Sequence, residues 1–273
     1  MKRSRVGVVA IAVSIATVYV AVIAAGFWIK DFSIDRDRIQ LHKGMAWVPP
    51  ALGSIPNDAR GESIRRGMLL FDETPLYAAG NTRGKIACSN CHVERGMQPF
   101  ASPMVGLPGL FPMFNERAGH WISLKDRIQE CFVRSENGKP LDYNGLTMQA
   151  YVDYITWLSQ PEPGRKGFVG RGLVKLPLLT PDLERGKAIY GSQCAGCHGG
   201  DGLGKVPVYP PLWGPDSFND GAGMNNINKM AAFIQHNMPQ NRMGILSAQE
   251  AYDVAGFVHA QPRPVFNTAY KHF

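Results

Sequence analysis

The chain has 273 residues, 45% of them apolar and 19% charged, which excludes a disordered or collagen-like protein and allows two domains of ordinary size. Its formal charge of +7 raises the question of a nucleic-acid partner, but Lys2, Arg3, Arg5 and Lys30 stand without an acid in residues 1–30, and the remainder carries 25 bases against 22 acids, too even for a nucleic-acid-binding surface. The five cysteines cannot all pair: four fall into two copies of one short pattern and the fifth stands alone.

From Val6 to Ile29 the chain runs 24 residues without a charge, about 36 Å as a helix, enough to cross a bilayer. The basic start and Trp28 at the far end predict a membrane anchor over residues 1–30 with its N-terminus in the cytoplasm. A cleaved secretory signal is the alternative, with Ala24-Ala25-Gly26 as a weak cleavage site. Either way the bulk of the chain is exported, to the periplasm. Residues 31–58 have Pro49-Pro50 and little periodicity, and read as an extension over the domain that follows.

A first domain is expected over residues 59–160. It opens with an amphipathic helix, Ser63 to Phe71, and reaches Cys88-Ser89-Asn90-Cys91-His92, a C-x-x-C-H motif. Two thiols one helical turn apart reach the two vinyl groups of a haem, while the adjacent imidazole binds the iron. Gly67 precedes Cys88 by 21 residues, whereas the corresponding distance in the second half, Gly186 to Cys194, is 8. The first half therefore carries an insertion with Thr74-Pro75 and Gly80-Asn81, either part of a substrate site or a surface elaboration.

Further on, Ser123 as N-cap, Asp126 three residues later and Asn137-Gly138 as a stop predict a helix holding the lone Cys131. Arg127, Cys131 and Arg134 recur at i, i+4 and i+7, so two guanidinium groups are expected to flank one thiol, with Arg117, Ser135 and Lys139 nearby. Arginine clusters bind oxyanions through paired charge-assisted hydrogen bonds; a solvated helix face, or partners for haem propionates, is the plainer reading. A helix from Ala150-Tyr151 closes the domain ten residues before Gln160-Pro161.

Residues 161–180, rich in proline and glycine, read as a linker, and residues 181–273 as a second domain. It repeats the plan: a helix from Asp182 to Tyr190, the motif Cys194-Ala195-Gly196-Cys197-His198, and a last helix with Ala251-Tyr252 ten residues before Gln261-Pro262. Two C-x-x-C-H motifs 106 residues apart in an exported chain point to two covalently bound haem c groups rather than to zinc or a redox dithiol.

Each iron takes a sixth ligand or keeps an open position. Met238-Pro239 lies 41 residues after Cys197 and resembles the Met-Pro ligand loop of small cytochromes c; Met243 is its nearest competitor. Forty residues after Cys91 the same count lands on Cys131. A small buried thiol is the bland reading of that residue; its register favours a thiolate ligand, which would lower the iron potential and be nucleophilic. The expected fold class is all-α: two class I cytochrome c domains in tandem, preceded by one N-terminal transmembrane helix or signal segment.

The segment from Cys131 to Leu141, with Asn90-Cys91-His92, Arg117, Arg127, Pro210 to Phe218 and Asn237-Met238-Pro239, resembles the dihaem thiosulfate dehydrogenases. The resemblance implies that His92 and Cys131 ligate an active-site haem and His198 and Met238 an electron-transfer haem. It implies that Arg117, Arg127 and Ser135 bind substrate, with Cys131 as a sulfur nucleophile forming a Cys-linked thiosulfonate that a second thiosulfate attacks. It also implies oxidation of thiosulfate to tetrathionate, possible in either direction, with electrons passed to a small cytochrome c or membrane acceptor. Family members are commonly soluble, so an inner-membrane anchor would be a departure. The competing functions are a membrane-anchored dihaem electron carrier without a substrate of its own, and a sulfur-transferring cytochrome that loads a carrier protein.

Overall fold

The structure is a computed structural model, described over residues 48–160 and 168–273. The anchor or signal expected over residues 1–30, most of the extension and the start of the linker lie outside the described residues. Among the described residues, no helix is long and apolar enough to cross a membrane.

In the first half α1 spans Ala59–Asp72, α2 Leu124–Arg134 and α3 Leu146–Leu158. Helix α1 starts four residues earlier than its apolar period predicts, because Asp58 accepts from the Gly61 N–H and caps it. Helix α2 has the expected reciprocal cap, with Ser123 and Asp126 each accepting from the other's backbone N–H. In the second half α4 spans Leu183–Ile189, α5 Ile227–Asn237 and α6 Ala248–His259.

Each half is built on a crossing of its first and last helices. A Cβ on Gly67 would lie 2.1 Å from the Ala150 carbonyl oxygen, and one on Gly186 would lie 2.0 Å from that of Asp253. Only glycine lets the two backbones meet there. The next contacts are Tyr154 and Phe257, and the rings of the same two side chains pack at a tilt against Phe71 (5.5 Å) and Tyr190 (5.4 Å) respectively. The equivalence is therefore Ala150 with Asp253, two residues beyond the Ala-Tyr pairing that the sequence repeat implies. Packing against the glycine, rather than a shared dipeptide, sets the register of the repeat.

One buried core gathers α1, α2 and α3, and draws in Ile55 from the extension and Phe168 from the linker. A second gathers the later helices around Trp213 and Tyr252, and includes Ile86 from the first half. Hydrogen bonds also join the halves: Lys85 N–H donates to the Asp216 carbonyl at 2.7 Å, and the Asn219 side-chain Nδ2 to the Val133 carbonyl at 2.9 Å.

The all-α expectation needs one correction. Strands β1 (Met113–Asn115) and β2 (His120–Ile122) form an antiparallel hairpin with Phe114 opposite Trp121. Their rings meet edge to face at 6.2 Å, Asn115 Oδ1 accepts from the Arg117 and Ala118 N–H groups, and Gly119 supplies φ +74° at the turn. Three-residue strands fall below what a period-2 pattern can signal.

A stability prediction follows from the second crossing. Asp253 is fully buried and accepts from the Asp182 N–H, the Arg185 guanidinium and Gln249 Nε2, binding α4 to α6. Burial pushes its carboxyl up, but those hydrogen bonds outweigh burial and hold it below the usual carboxylate value. Asp253→Ala should cost about 2 kcal/mol, since three part-buried donors lose a buried charged acceptor. A depressed folded value means the stabilisation is present above the ordinary aspartate value of about 3.9 and is lost as pH falls below it through the lower folded value. Thermal melting of the holoprotein between neutral and acid pH should therefore show the variant's deficit shrinking toward low pH.

Candidate haem and anion site

The first motif is held from both sides. Residues Cys88–Cys91 form one helical turn, and Asn90 Oδ1 accepts from the Ala87 N–H at 2.7 Å. The buried Thr74 hydroxyl donates to the Leu70 carbonyl at 2.8 Å and accepts from the Cys88 N–H at 3.1 Å. Farther along the insertion, Asn81 accepts from the Lys139 N–H at 3.0 Å and donates to the Pro140 carbonyl at 2.6 Å. Residues 74–81 thus brace the motif against the loop after α2; none of them lines the cavity beside it.

That cavity holds the candidate chemistry. Cys88, Cys91 and His92 line it together with Cys131, Ser135 and Arg127 from α2, and its walls are apolar, with Phe71, Met104, Leu107, Ile128 and Phe132. His92 Nδ1 lies 2.7 Å from the Ser102 carbonyl oxygen. Facing a carbonyl, Nδ1 must carry the proton, which leaves the Nε2 lone pair for a metal. Burial pushes the His92 imidazole down to about 4, so it stays neutral as a ligand must. Two thiols and a free imidazole nitrogen beside an apolar cavity fit a covalently attached haem.

Burial pushes the Cys131 thiol above its ordinary value, while Arg127 pulls it down and Glu130 and Glu136 push it up. The protein alone therefore does not ionise this thiol; coordination to a cation would.

Of the cations expected around Cys131, the structure brings Arg127 to the cavity wall and sends Arg134 elsewhere. The Arg134 guanidinium lies 4.1 Å from the centre of the Phe266 ring and donates to the Phe273 carbonyl at 3.0 Å. A cation–π contact and a long-range hydrogen bond take the side chain into the C-terminal segment, so one guanidinium, not two, flanks the thiol. Lys139 contributes its backbone N–H to Asn81 and does not line the cavity.

Arg117 stands on the hairpin turn, off the cavity wall. It donates to Glu130 Oε1 at 2.6 Å and to the Gly221 carbonyl of the second half at 3.2 Å. Arg127 donates to the other oxygen of Glu130 at 2.7 Å. Burial pushes the Glu130 carboxyl up, but the two guanidinium groups prevail and hold it ionised below its ordinary value. Glu130 was missed in the sequence reading; its place three residues after Arg127 on one helix face was the available signal. Two other cavity residues were missed. Arg171, from the linker, donates to the Val105 carbonyl at 3.1 Å. Glu136 is 1% exposed, with its Oε1 4.0 Å from Cys88 Sγ, and burial pushes its carboxyl well up.

The second motif repeats the first. Its turn spans Ala195–His198, and His198 Nδ1 lies 3.0 Å from the Pro210 carbonyl oxygen, again leaving Nε2 for a metal. Met238 closes α5, its N–H donating to the Ile234 carbonyl, and packs against the second core; Met243 is 49% exposed.

Both halves of the chain are similar to known proteins. Residues 74–163 match the family described as SoxA/TsdA, cytochrome c domain, and residues 181–258 match cytochrome c oxidase, cbb3-type, subunit III. The chain is 41% identical over 232 residues to a thiosulfate dehydrogenase of Allochromatium vinosum, covering 81% of this chain and 86% of the relative. It is 37% identical to that of Psychrobacter arcticus, over 79% of this chain and 68% of the relative. Among solved structures it is similar to the as-isolated form of thiosulfate dehydrogenase (TsdBA) from Marichromatium purpuratum, with a TM-score of 0.76 and 36% identity. That match covers 80% of this chain and spans half the length of the solved one.

Proposed function

The chain belongs to the thiosulfate dehydrogenase family, and from that premise we propose that it joins two thiosulfate ions into tetrathionate and passes the two electrons to an external acceptor, a small cytochrome c or a membrane carrier. We read the protein as carrying two covalently bound haem c groups, attached through Cys88 and Cys91 and through Cys194 and Cys197. The observation that carries the reading is Cys131 on the wall of the cavity that His92 also lines, with Arg127 and Ser135 beside it. A plain electron carrier has no use for a lone thiol and an arginine there.

When bound, each haem accepts one electron, so a pair can take both electrons of the oxidation. The protein side chains do the rest. His92 and Cys131 are the proposed ligands of the first iron, and His198 and Met238 those of the second. Arg127, with Arg117 behind it through Glu130, offsets the charge of the incoming dianions, and the Ser135 hydroxyl donates to a sulfonate oxygen. Cys131 Sγ forms a bond to the terminal sulfur of the first thiosulfate as two electrons leave, giving Cys131–S–S–SO3⁻. The terminal sulfur of a second thiosulfate attacks the sulfur bonded to Cys131 Sγ. The Cys131 S–S bond breaks, tetrathionate departs with two negative charges, and the Cys131 thiolate returns. No proton is exchanged, so the same steps run backward from tetrathionate when electrons are supplied.

We place the protein in the periplasm, held to the inner membrane by residues 1–30. The support is the uncharged run Val6 to Ile29 after a basic start, and the use of thioether-bound haem.

The test is a steady-state assay of the purified protein loaded with two haems. Thiosulfate should reduce ferricyanide with one tetrathionate formed per two electrons, and without a carrier protein. Failure of thiosulfate to reduce any acceptor would sink the reading.

A further inference from the structure

The two halves meet at one buried polar point that the proposed chemistry does not use. The loop that follows the first motif packs against the end of α5, where the second half presents its ligand methionine. Val93, next to His92, and Ala101 form a small buried cluster with Phe233, and Met238 lies against it. Beside this cluster Gln98, 5% exposed, donates from Nε2 to Asn237 Oδ1 at 2.6 Å and reaches Met243 Sδ at 3.4 Å. Asn237 is fully buried, and its Nδ2 donates to the Phe100 and Phe233 carbonyls, each at 3.1 Å.

The amide orientations follow from these partners. Two carbonyls occupy the Asn237 NH2 group, so its oxygen must face Gln98, and Gln98 must offer a donor. One glutamine of the first half therefore holds both the residue before Met238 and the sulfur of Met243.

We propose that Gln98 is a positioning residue that sorts two methionines, pinning Met238 for the second iron and holding Met243 away from it. The proposal rests on the reading that Met238 is the sixth ligand of the second haem. The two thioethers lie five residues apart on one loop, and a methionine side chain is unbranched and rotamer-rich, so holding it in one conformation costs entropy. Neither sulfur is sorted by its own stiffness, so the sorting must come from neighbours. Gln98 acts on both at once: its bond to Asn237 orients the backbone that leads into Met238, and its contact with Met243 engages the competing sulfur. Because axial ligation sets the potential of a haem, a residue of the first haem's loop thereby governs the potential of the second.

The test uses the dihaem holoprotein and two variants. Gln98→Leu removes both contacts, and Gln98→Glu keeps the length but sets an oxygen against Asn237 Oδ1. The readouts are the weak red absorption band of methionine-ligated ferric haem and the two midpoint potentials from spectroelectrochemical titration. Both variants should alter the position or intensity of that band and move the second-haem potential enough to change the electron distribution between the haems about tenfold, about 59 mV for a one-electron couple, while the first haem stays put. Adding Met243→Ala to Gln98→Leu should bring part of the shift back. An unchanged band and potential in both variants would overturn the proposal, as would an equal shift of both haems. Met238→Ala separates the two readings: a band that survives it refutes Met238 as ligand, whereas a band lost there but untouched by the Gln98 variants refutes only the role of Gln98.

Discussion

A Cys131→Ala protein that still carries both haems should lose thiosulfate oxidation by more than about 10^3-fold, because the residue is proposed as both nucleophile and iron ligand, and the other two cysteines on the cavity wall, Cys88 and Cys91, are the proposed thioether attachments of the haem and so cannot form the S–S bond. The wall otherwise offers the Ser135 hydroxyl and the His92 imidazole, and His92 is engaged from Nδ1 by the Ser102 carbonyl. Removal of the thiol also separates two roles that sequence spacing alone left joined. Cys131→Met restores a soft sixth ligand without a nucleophile: the first haem's potential should rise, as methionine ligation raises it relative to thiolate, electrons should still pass between the haems, and turnover should remain absent. The check is a haem-normalised steady-state assay with potentials measured on the same preparations. A Cys131→Met protein that turned over at the original rate would show that ligation alone matters, and the thiosulfonate step would fall.

The second large effect belongs to Arg127. Two unit charges 4 Å apart repel by about 4 kcal/mol at an effective dielectric constant of about 20, and two dianions multiply the charge product fourfold. The site must offset that repulsion, and Arg127 is the α2 cation on the cavity wall. Arg127→Leu should lower kcat/KM by about 100-fold, the worth of a charge-assisted hydrogen bond of about 3 kcal/mol. The loss is compounded because Glu130, buried and ionised, is left with Arg117 alone and turns more of its charge on the substrate. Arg127→Lys should fall between, since it keeps the charge but not the planar fork. Arg117→Leu should cost less than Arg127→Leu, because Arg117 acts from behind Glu130. Initial rates against thiosulfate concentration, at two ionic strengths, decide the order; equal losses at the two arginines would mean that both touch substrate.

Much of this chemistry was legible in the chain because it depends on neighbours in sequence. The two C-x-x-C-H motifs need only one helical turn each to present two thiols and an imidazole, and the count of 40 residues from Cys91 to Cys131 matches 41 from Cys197 to Met238 because both halves are copies of one crossing of helices. The α2 cap at Ser123 and Asp126 is likewise local. The insertion at residues 74–81 was legible as an insertion but not as a brace, since its partners Leu70, Cys88, Lys139 and Pro140 come from three separate segments.

What the sequence by itself determined was the covalent and periodic layer: the two motifs proposed to attach haem, that the chain is a repeat, and that one cysteine is left over at a ligand's distance. Tertiary structure alone decided which charges face that cysteine. Arg127 and Arg134 both neighbour Cys131 on α2, and helical spacing treats them alike. A phenyl ring at Phe266 and a carbonyl at Phe273 take Arg134 out of the site, while Glu130 draws in Arg117 from a hairpin too short to predict. The same holds for Gln98, whose partner Asn237 is 139 residues away. A helical period fixes which face a side chain shares, but burial of a charge or an amide is tolerable only where a partner waits, and those partners arrive from distant parts of the chain.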